Sequence, residues 1–185
     1  GGFLEAWRRG RPHDPILGIE PSSAADLARR RGMEVCEQPL EVPLPEGARG
    51  AGMFTLWHVL EHLEDPLGAI VRLREALGPD GRIVLAVPNA SALERAVFGQ
   101  RTIAWDPPRH RWHFTPEGLT AITGTTGLRV LDRFNLVTDD VYDAVGSIRW
   151  TVYPGAWADP GSMRERLATG LAVAGGCLWA WDWPP

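Results

Sequence analysis

The chain has 185 residues, 44% of them apolar, which is enough for one sizeable core and short for two full domains. A net charge of -4 and a pI near 5.7 remove the global electrostatic pull that nucleic-acid binders carry. The two cysteines, Cys36 and Cys177, match neither a disulfide framework nor a zinc spacing, and no charged stretch precedes an apolar core with a cleavage site, so a reducing cytoplasm is the expected compartment.

In chain order, residues 2–9 read as a helix, with Phe3, Leu4 and Trp7 apolar and Arg8 and Arg9 at the end whose dipole favours cations. Residues 10–15 have turn chemistry, and residues 16–19 form a short buried-strand pattern that closes at Glu20. Pro21 leads into a helix over 24–31, with Ser22 or Ser23 as cap and Asp26 in the first turn. Residues 33–36 are the next strand. Pro39, Pro43, Pro45, Gly47, Gly50 and Gly52 then mark a loop, after which a strand runs from Met53 into a polar turn.

Residues 66–77 place Leu67, Ile70, Val71, Leu73 and Leu77 on one helix face. Gly78-Pro79-Asp80-Gly81 reads as a turn, and an apolar strand follows it to Pro88-Asn89. Thr115-Pro116-Glu117 supplies a cap, a first-turn proline and an acid for a helix to about Thr123, and residues 128–134 read as a further strand. This alternation predicts an α/β fold with a doubly wound, mostly parallel sheet over residues 1–150. Residues 151–185 form a Trp/Gly-rich apolar tail whose run over 167–181 is too short for a membrane span. A core or interface helix is expected there, with peripheral membrane contact as the other reading.

Chemistry concentrates in three places. Glu20 stands 18 positions after Gly2, the separation at which nucleotide-binding α/β folds place an acid for ribose hydroxyls; by spacing alone a turn or cap role is as good. His58-x-x-Glu61-His62 matches the inverted zinc-protease signature. It follows a strand in a doubly wound pattern, with Asp65-Pro66 behind it and no downstream acid marked as a third ligand, so proteolysis is not expected. The third place is Trp105-Asp106-Pro107-Pro108-Arg109-His110-Arg111-Trp112-His113-Phe114, beyond the last strand and on the sheet edge where ligands bind. It reads as a substrate lid or as a packed Pro/aromatic loop.

Leu60-Glu61-His62-Leu63-Glu64-Asp65-Pro66 and Pro79-Asp80-Gly81 together resemble the second half of a class I S-adenosylmethionine-dependent methyltransferase, and the likeness runs from Gly1 to about Val130. The Asp-Pro-Pro-Arg-His loop is similar to one in a bacterial subgroup of these enzymes. The resemblance implies a Rossmann-like fold, S-adenosylmethionine as cofactor and a small-molecule acceptor methylated on oxygen, with no nucleic acid and no integral membrane segment. It further implies that Gly1 and Gly2 hold the amino-acid end of the cofactor, Glu20 the ribose and Gln38 the adenine, with Glu37 nearly as well placed. Trp57 would flank the adenine or the transfer site, or serve as core material; by imidazole chemistry His62, with His58 and His110, reads as a catalytic histidine, and a hydrogen-bonded turn residue is as good a reading of His62.

A Glu-x-x-Glu-His version of the turn holds a divalent ion in some relatives; here His58 replaces the first Glu, and no metal is expected. The sequence also departs from the family's pattern in lacking, before Gly1, the first strand and most of the glycine loop. On that reading the sheet lacks its first strand and the chain by itself binds cofactor poorly. The alternative function is a truncated or degenerate methyltransferase-like binding module without catalysis, and a nicotinamide-dependent oxidoreductase ranks third.

Overall fold

The computed structural model describes residues 2–136 and Ser147. The chain divides into two compact units, the first built from Gly1–Ser91 with Asp106–Arg133 and the second from Ala92–Trp105 with Phe134–Pro185. The boundary expected at residue 150 and the apolar run over 167–181 lie outside the described residues. Among the described residues, no helix is long and apolar enough to cross a membrane.

In the first unit α1 (Gly2–Gly10) leads to β1 (Gly18–Ile19), α2 (Ala24–Arg30) and β2 (Val35–Cys36). Glycine is required where α2 stops, because Gly32 has φ +76°, a conformation that side chains with a Cβ resist. β3 (Ala51–Trp57), α3 (Pro66–Ala76) and β4 (Leu77–Ala86) then form a βαβ unit, and α5 (Pro116–Thr125) follows. Strands pair in parallel as β1 with β2 and β3 with β4, so the parallel α/β arrangement expected from the sequence is observed as two two-stranded sheets.

Two local expectations need correction. Residues 78–81 do not form a free turn; they are absorbed into β4 as an irregularity, where the register passes from Ala51↔Leu77 to Met53↔Arg82. Glycine makes this possible, since a Cβ at Gly81 would lie 2.9 Å from the Ala51 carbonyl oxygen and 2.7 Å from Leu77 Cδ2. Residues 128–134 are not a strand: among the described residues they pair with no strand, and although Leu128 packs on the core, Leu131 is 64% exposed. A β-rich composition forms a strand only where a neighbour accepts its hydrogen bonds.

The core lies around the start of α3. Leu60, Leu63, Ala69, Ile70 and Phe114 are buried together, with Leu85, Val87, Leu119 and Ile122 packed against them. The Asp65 carboxylate caps α3 by accepting from the Gly68 amide at 2.8 Å, and Thr115 Oγ1 caps α5 by accepting from Gly118 at 3.0 Å. Both caps precede a first-turn proline that surrenders an amide no helix could use.

In the second unit, α4 (Leu93–Phe98) is followed by short 3-10 turns at Gly99–Arg101 and Ile103–Trp105. The Arg95 guanidinium lies over the Trp105 ring at 3.9 Å, and Thr102 and Ser147 are both fully buried, with their hydroxyl oxygens 3.4 Å apart.

Ile70→Ala is expected to cost about 2–5 kcal/mol, because the side chain is fully buried and its cavity would have to be filled by neighbours already in place. Asp65→Ala, which removes only a cap, should cost about 1 kcal/mol. Urea denaturation that ranked the cap above the core residue would contradict this account of the packing.

Candidate active site

The site grows from the turn between β3 and α3. His58 continues the ladder by donating its amide to the Ala86 carbonyl at 2.9 Å, and then turns the chain sharply at φ +52°. Leu60 and Leu63 plunge into the core on either side of the 3-10 turn Leu60–His62. Glu61 is carried inward between them and is only 1% exposed, whereas His62 stays on the solvent side.

A second segment, far away in sequence, is fastened onto this turn. The Glu61 carbonyl accepts from the amides of Arg111 and Trp112 at 2.8 and 3.2 Å, and the Trp112 indole donates to the Leu63 carbonyl at 2.9 Å. Arg111 pairs with Glu64 at 2.8 Å. Asn89, just past β4, bridges in parallel to Phe114, and the Ala90 amide donates to the Phe114 carbonyl at 2.7 Å. The loop predicted as a lid over the site is therefore fixed at both ends of its second half.

This fastening brings the histidines together. The His62 and His110 rings are 4.8 Å apart, and His113 stands 6.5 Å from His110. His62 Nδ1 lies 3.0 Å from the Arg109 carbonyl oxygen. His58 Nδ1 is 3.3 Å and His110 Nε2 is 3.9 Å from Glu61 Oε1, while His110 Nε2 is also 3.8 Å from Asp106 Oδ2. Asp106 is buried at φ +35° and anchored by Arg109 at 2.6 Å. Among the described residues, neither oxygen of Glu61 has a hydrogen-bond partner.

The other predicted residues stand at strand ends. Glu20 follows β1; its Oε1 accepts from the Ser22 amide at 3.0 Å and the Ser22 hydroxyl at 2.6 Å. Its second oxygen makes no hydrogen bond among the described residues. Gln38 follows β2, with Oε1 accepting from the Cys36 thiol at 3.0 Å and Nε2 donating to the Pro43 carbonyl at 2.9 Å. Glu37 pairs instead with Arg29 at 2.9 Å; that hydrogen bond, with help from Asp26, raises the guanidinium above its ordinary pKa. Trp57 ends β3, 37% exposed, and its ring meets Phe3 of α1 at 5.3 Å. Gly2 opens α1, with empty space where a Cβ would be, and Gly1 lies outside the described residues.

Residues 1–133 match the family model described as a methyltransferase domain, which is more than half of the chain. The chain belongs to the methyltransferase-domain family. Comparison with curated proteins gives no match. Among solved structures, the chain is similar to LepI, a structure determined in complex with SAM, at 18% identity and a TM-score of 0.56, covering 70% of this chain and 35% of that one. It is also similar to a SAM-dependent methyltransferase, possible histamine N-methyltransferase, from Thermotoga maritima, at 15% identity and a TM-score of 0.51, covering 70% and 78% respectively. These likenesses show the fold, a Rossmann-like α/β domain. The chain spans about a third of the length of LepI.

Within this methyltransferase domain the predicted histidines His58, His62 and His110 are brought together, while Glu20, Gln38 and Trp57 stand separately at the ends of their strands. Sequence patterns grouped Glu61 with His58 and His62, and Asp106 and Arg109 with His110, but gave Glu61, Asp106 and Arg109 no site role and missed that the two segments meet. For Glu61 a signal was present: an acid set between Leu60 and Leu63 in a short turn has little choice but to be buried.

Burial of a carboxylate without a hydrogen-bond donor is costly, so Glu61→Gln is expected to leave the fold intact and the apo protein at least as stable as the wild type. Chemical denaturation checks this. A loss of about 2 kcal/mol or more, the scale of a broken charged hydrogen bond, would show that Glu61 is held by partners the geometry does not reveal.

Proposed function

We propose that the chain is an S-adenosylmethionine-dependent methyltransferase domain acting on the hydroxyl oxygen of a small molecule. The observation that carries this reading is the histidine cluster around buried Glu61, at the carboxyl end of β3 in a chain of the methyltransferase family. Ligands of parallel α/β sheets bind at the carboxyl ends of the strands, and Glu20, Gln38, Trp57 and His58 all stand at such ends.

The residues present fit the cofactor. Glu20 retains one carboxylate oxygen for a ribose hydroxyl, because Ser22 occupies only the other. The Gln38 carbonyl receives one weak thiol donor and keeps a lone pair for the adenine amino group. With Glu37 committed to Arg29, Gln38 is the better placed of the two. The first amides of α1 have no acceptor within the helix and offer the kind of donor that the cofactor's carboxylate needs.

When bound, the cofactor supplies an electrophilic methyl group on a sulfonium. The chain's part is to align the acceptor oxygen in line with that methyl, which can account for ~7–11 kcal/mol of the barrier, and to receive the hydroxyl proton. An imidazole does the second task near neutral pH, and His62, on the solvent side of the cluster beside His110, is the base of choice. A bacterial cytoplasm is the proposed setting; the free Cys36 thiol is compatible with reducing conditions. Residues 1–150 would form the catalytic domain, with 151–185 as a tail able to touch a membrane surface. A non-catalytic binding module is the second reading, favoured by the modest span of the parallel sheets.

Glu20→Ala should weaken S-adenosylhomocysteine binding by roughly 1.5–3 kcal/mol, measured by calorimetry on the chain together with any residues its gene encodes before Gly1. Unchanged affinity would remove Glu20 from the site, and no binding by the parent protein would sink the methyltransferase reading as a whole. His62→Ala should leave that affinity within a few-fold and lower methyl transfer roughly 10²-fold. Full activity in the folded variant would make His62 a structural residue.

A further inference from the structure

We propose that Glu61, His62 and His110 form a binding site for one divalent transition-metal ion of the zinc class. One ligand atom from each of the three lies within 4.8 Å of the others. Around a tetrahedral ion with bonds of ~2.0 Å, ligand atoms stand about 3.3 Å apart, so the set must contract by roughly 1.5 Å. The exposed His62 ring would have to supply that movement by pivoting on its Nδ1 hydrogen bond to the Arg109 carbonyl.

The second observation is independent of this proximity. The Glu61 carboxylate is 1% exposed and, among the described residues, neither oxygen accepts a hydrogen bond, although both belong to the strongest kind of acceptor. The nearest cationic candidates, His58 and His110, stand 3.3 and 3.9 Å from Oε1, longer than charge-assisted hydrogen bonds, and each has other interactions of its own. A buried anion left without donors among imidazoles is the electrostatic complement of a cation.

The surroundings orient the ligands. His62 Nδ1 sits 3.0 Å from the Arg109 carbonyl; the N–H there donates, which fixes the tautomer and leaves Nε2 with its lone pair for a metal. Asp106, anchored by Arg109, stands 3.8 Å from His110 Nε2 and adds a second carboxylate beside the proposed ion.

The donor set selects the ion. Two imidazoles and one carboxylate suit zinc, cobalt or nickel, whereas magnesium and calcium prefer oxygen alone. Three protein ligands with His62 on the solvent side leave a coordination position open. The consequence rests on the methyl-transfer reading, with His62 serving as a ligand in place of its role as base: an acceptor hydroxyl bound at that position loses its proton to solvent nearer neutral pH, and the alkoxide takes the methyl group as its bond to the cofactor's sulfur breaks and S-adenosylhomocysteine leaves.

The test uses the untagged 185-residue chain, stripped with EDTA. Titration with Co2+ followed by visible absorption, and with Zn2+ by calorimetry, should show one ion per chain, with Zn2+ displacing Co2+. Glu61→Gln and His110→Ala should each weaken binding at least 10-fold, and His13→Ala, an exposed histidine outside the cluster, should not. Circular dichroism melts establish that each variant is folded; His62→Gln, altering an exposed ring, replaces any that is not. A folded parent that binds neither ion stoichiometrically overturns the site, as does binding that survives Glu61→Gln combined with His62→Gln. Calorimetry of the EDTA-treated chain, together with any residues its gene encodes before Gly1, with S-adenosylhomocysteine reads the methyltransferase proposal separately, since nucleoside binding through Glu20 and Gln38 needs no metal.

Discussion

Two backbone hydrogen bonds to one carbonyl organise this domain's chemistry. When the Glu61 carbonyl accepts from both Arg111 and Trp112, a loop beyond β4 is locked to the turn beyond β3, and the distances from His110 to Glu61 and His62 depend on that lock. His110 reaches the turn only because its neighbours are held there. The same residue whose main chain makes the lock carries its carboxylate into the protein, so architecture and electrostatics meet at a single position. Trp112, donating its indole to Leu63, adds a polar tie next to the core formed by Leu60, Leu63 and Phe114.

The lock also explains why backbone strain collects here. His58 and Asp106 both have positive φ, unusual for residues with a Cβ, and they bracket the cluster from its two segments. Such conformations cost on the order of 1–3 kcal/mol each and persist where surrounding contacts over-determine them. At His58 the constraint is the ladder bond to Ala86 on one side and buried Leu60 on the other. At Asp106 it is the pair with Arg109 together with backbone bonds from the Arg109 and His110 amides. Both strained residues aim a side chain at groups that carry or can acquire charge, which is where strain is useful.

Much of the fold was legible because its signals are local. Thr115-Pro116 announced α5 through a cap that the structure forms as expected, and the apolar spacing of residues 66–77 gave α3 with Ile70 and Leu73 on its buried face, although Leu67, expected on that face, is 43% exposed. Residues 128–134 misled because strand composition is only half of a strand; the other half is a partner, which no local pattern supplies. Gly78 to Gly81 misled for the opposite reason. Glycines that usually turn a chain here let β4 pass close against the Ala51 carbonyl, and close approach leaves the same mark on a sequence as a turn.

The candidate site was legible residue by residue but not as an assembly. His58 and His62 flagged the turn and His110 flagged the loop, yet nothing in either segment says that they meet, because the bonds that join them run mainly through backbone amides and carbonyls, which every sequence has. Glu61 bears the consequence. In sequence it is one acid among several on a polar turn, and a zinc-protease-like spacing with His58 and His62 is easily dismissed as chance. In three dimensions its neighbours are set by burial: Leu60 and Leu63 draw it inward, no donor accompanies it, and His110 arrives from the other segment. A buried carboxylate kept at an energetic cost, with imidazoles held around it by a backbone clamp, is a site arranged for positive charge, whether that charge arrives on a proton from the acceptor or on a metal ion.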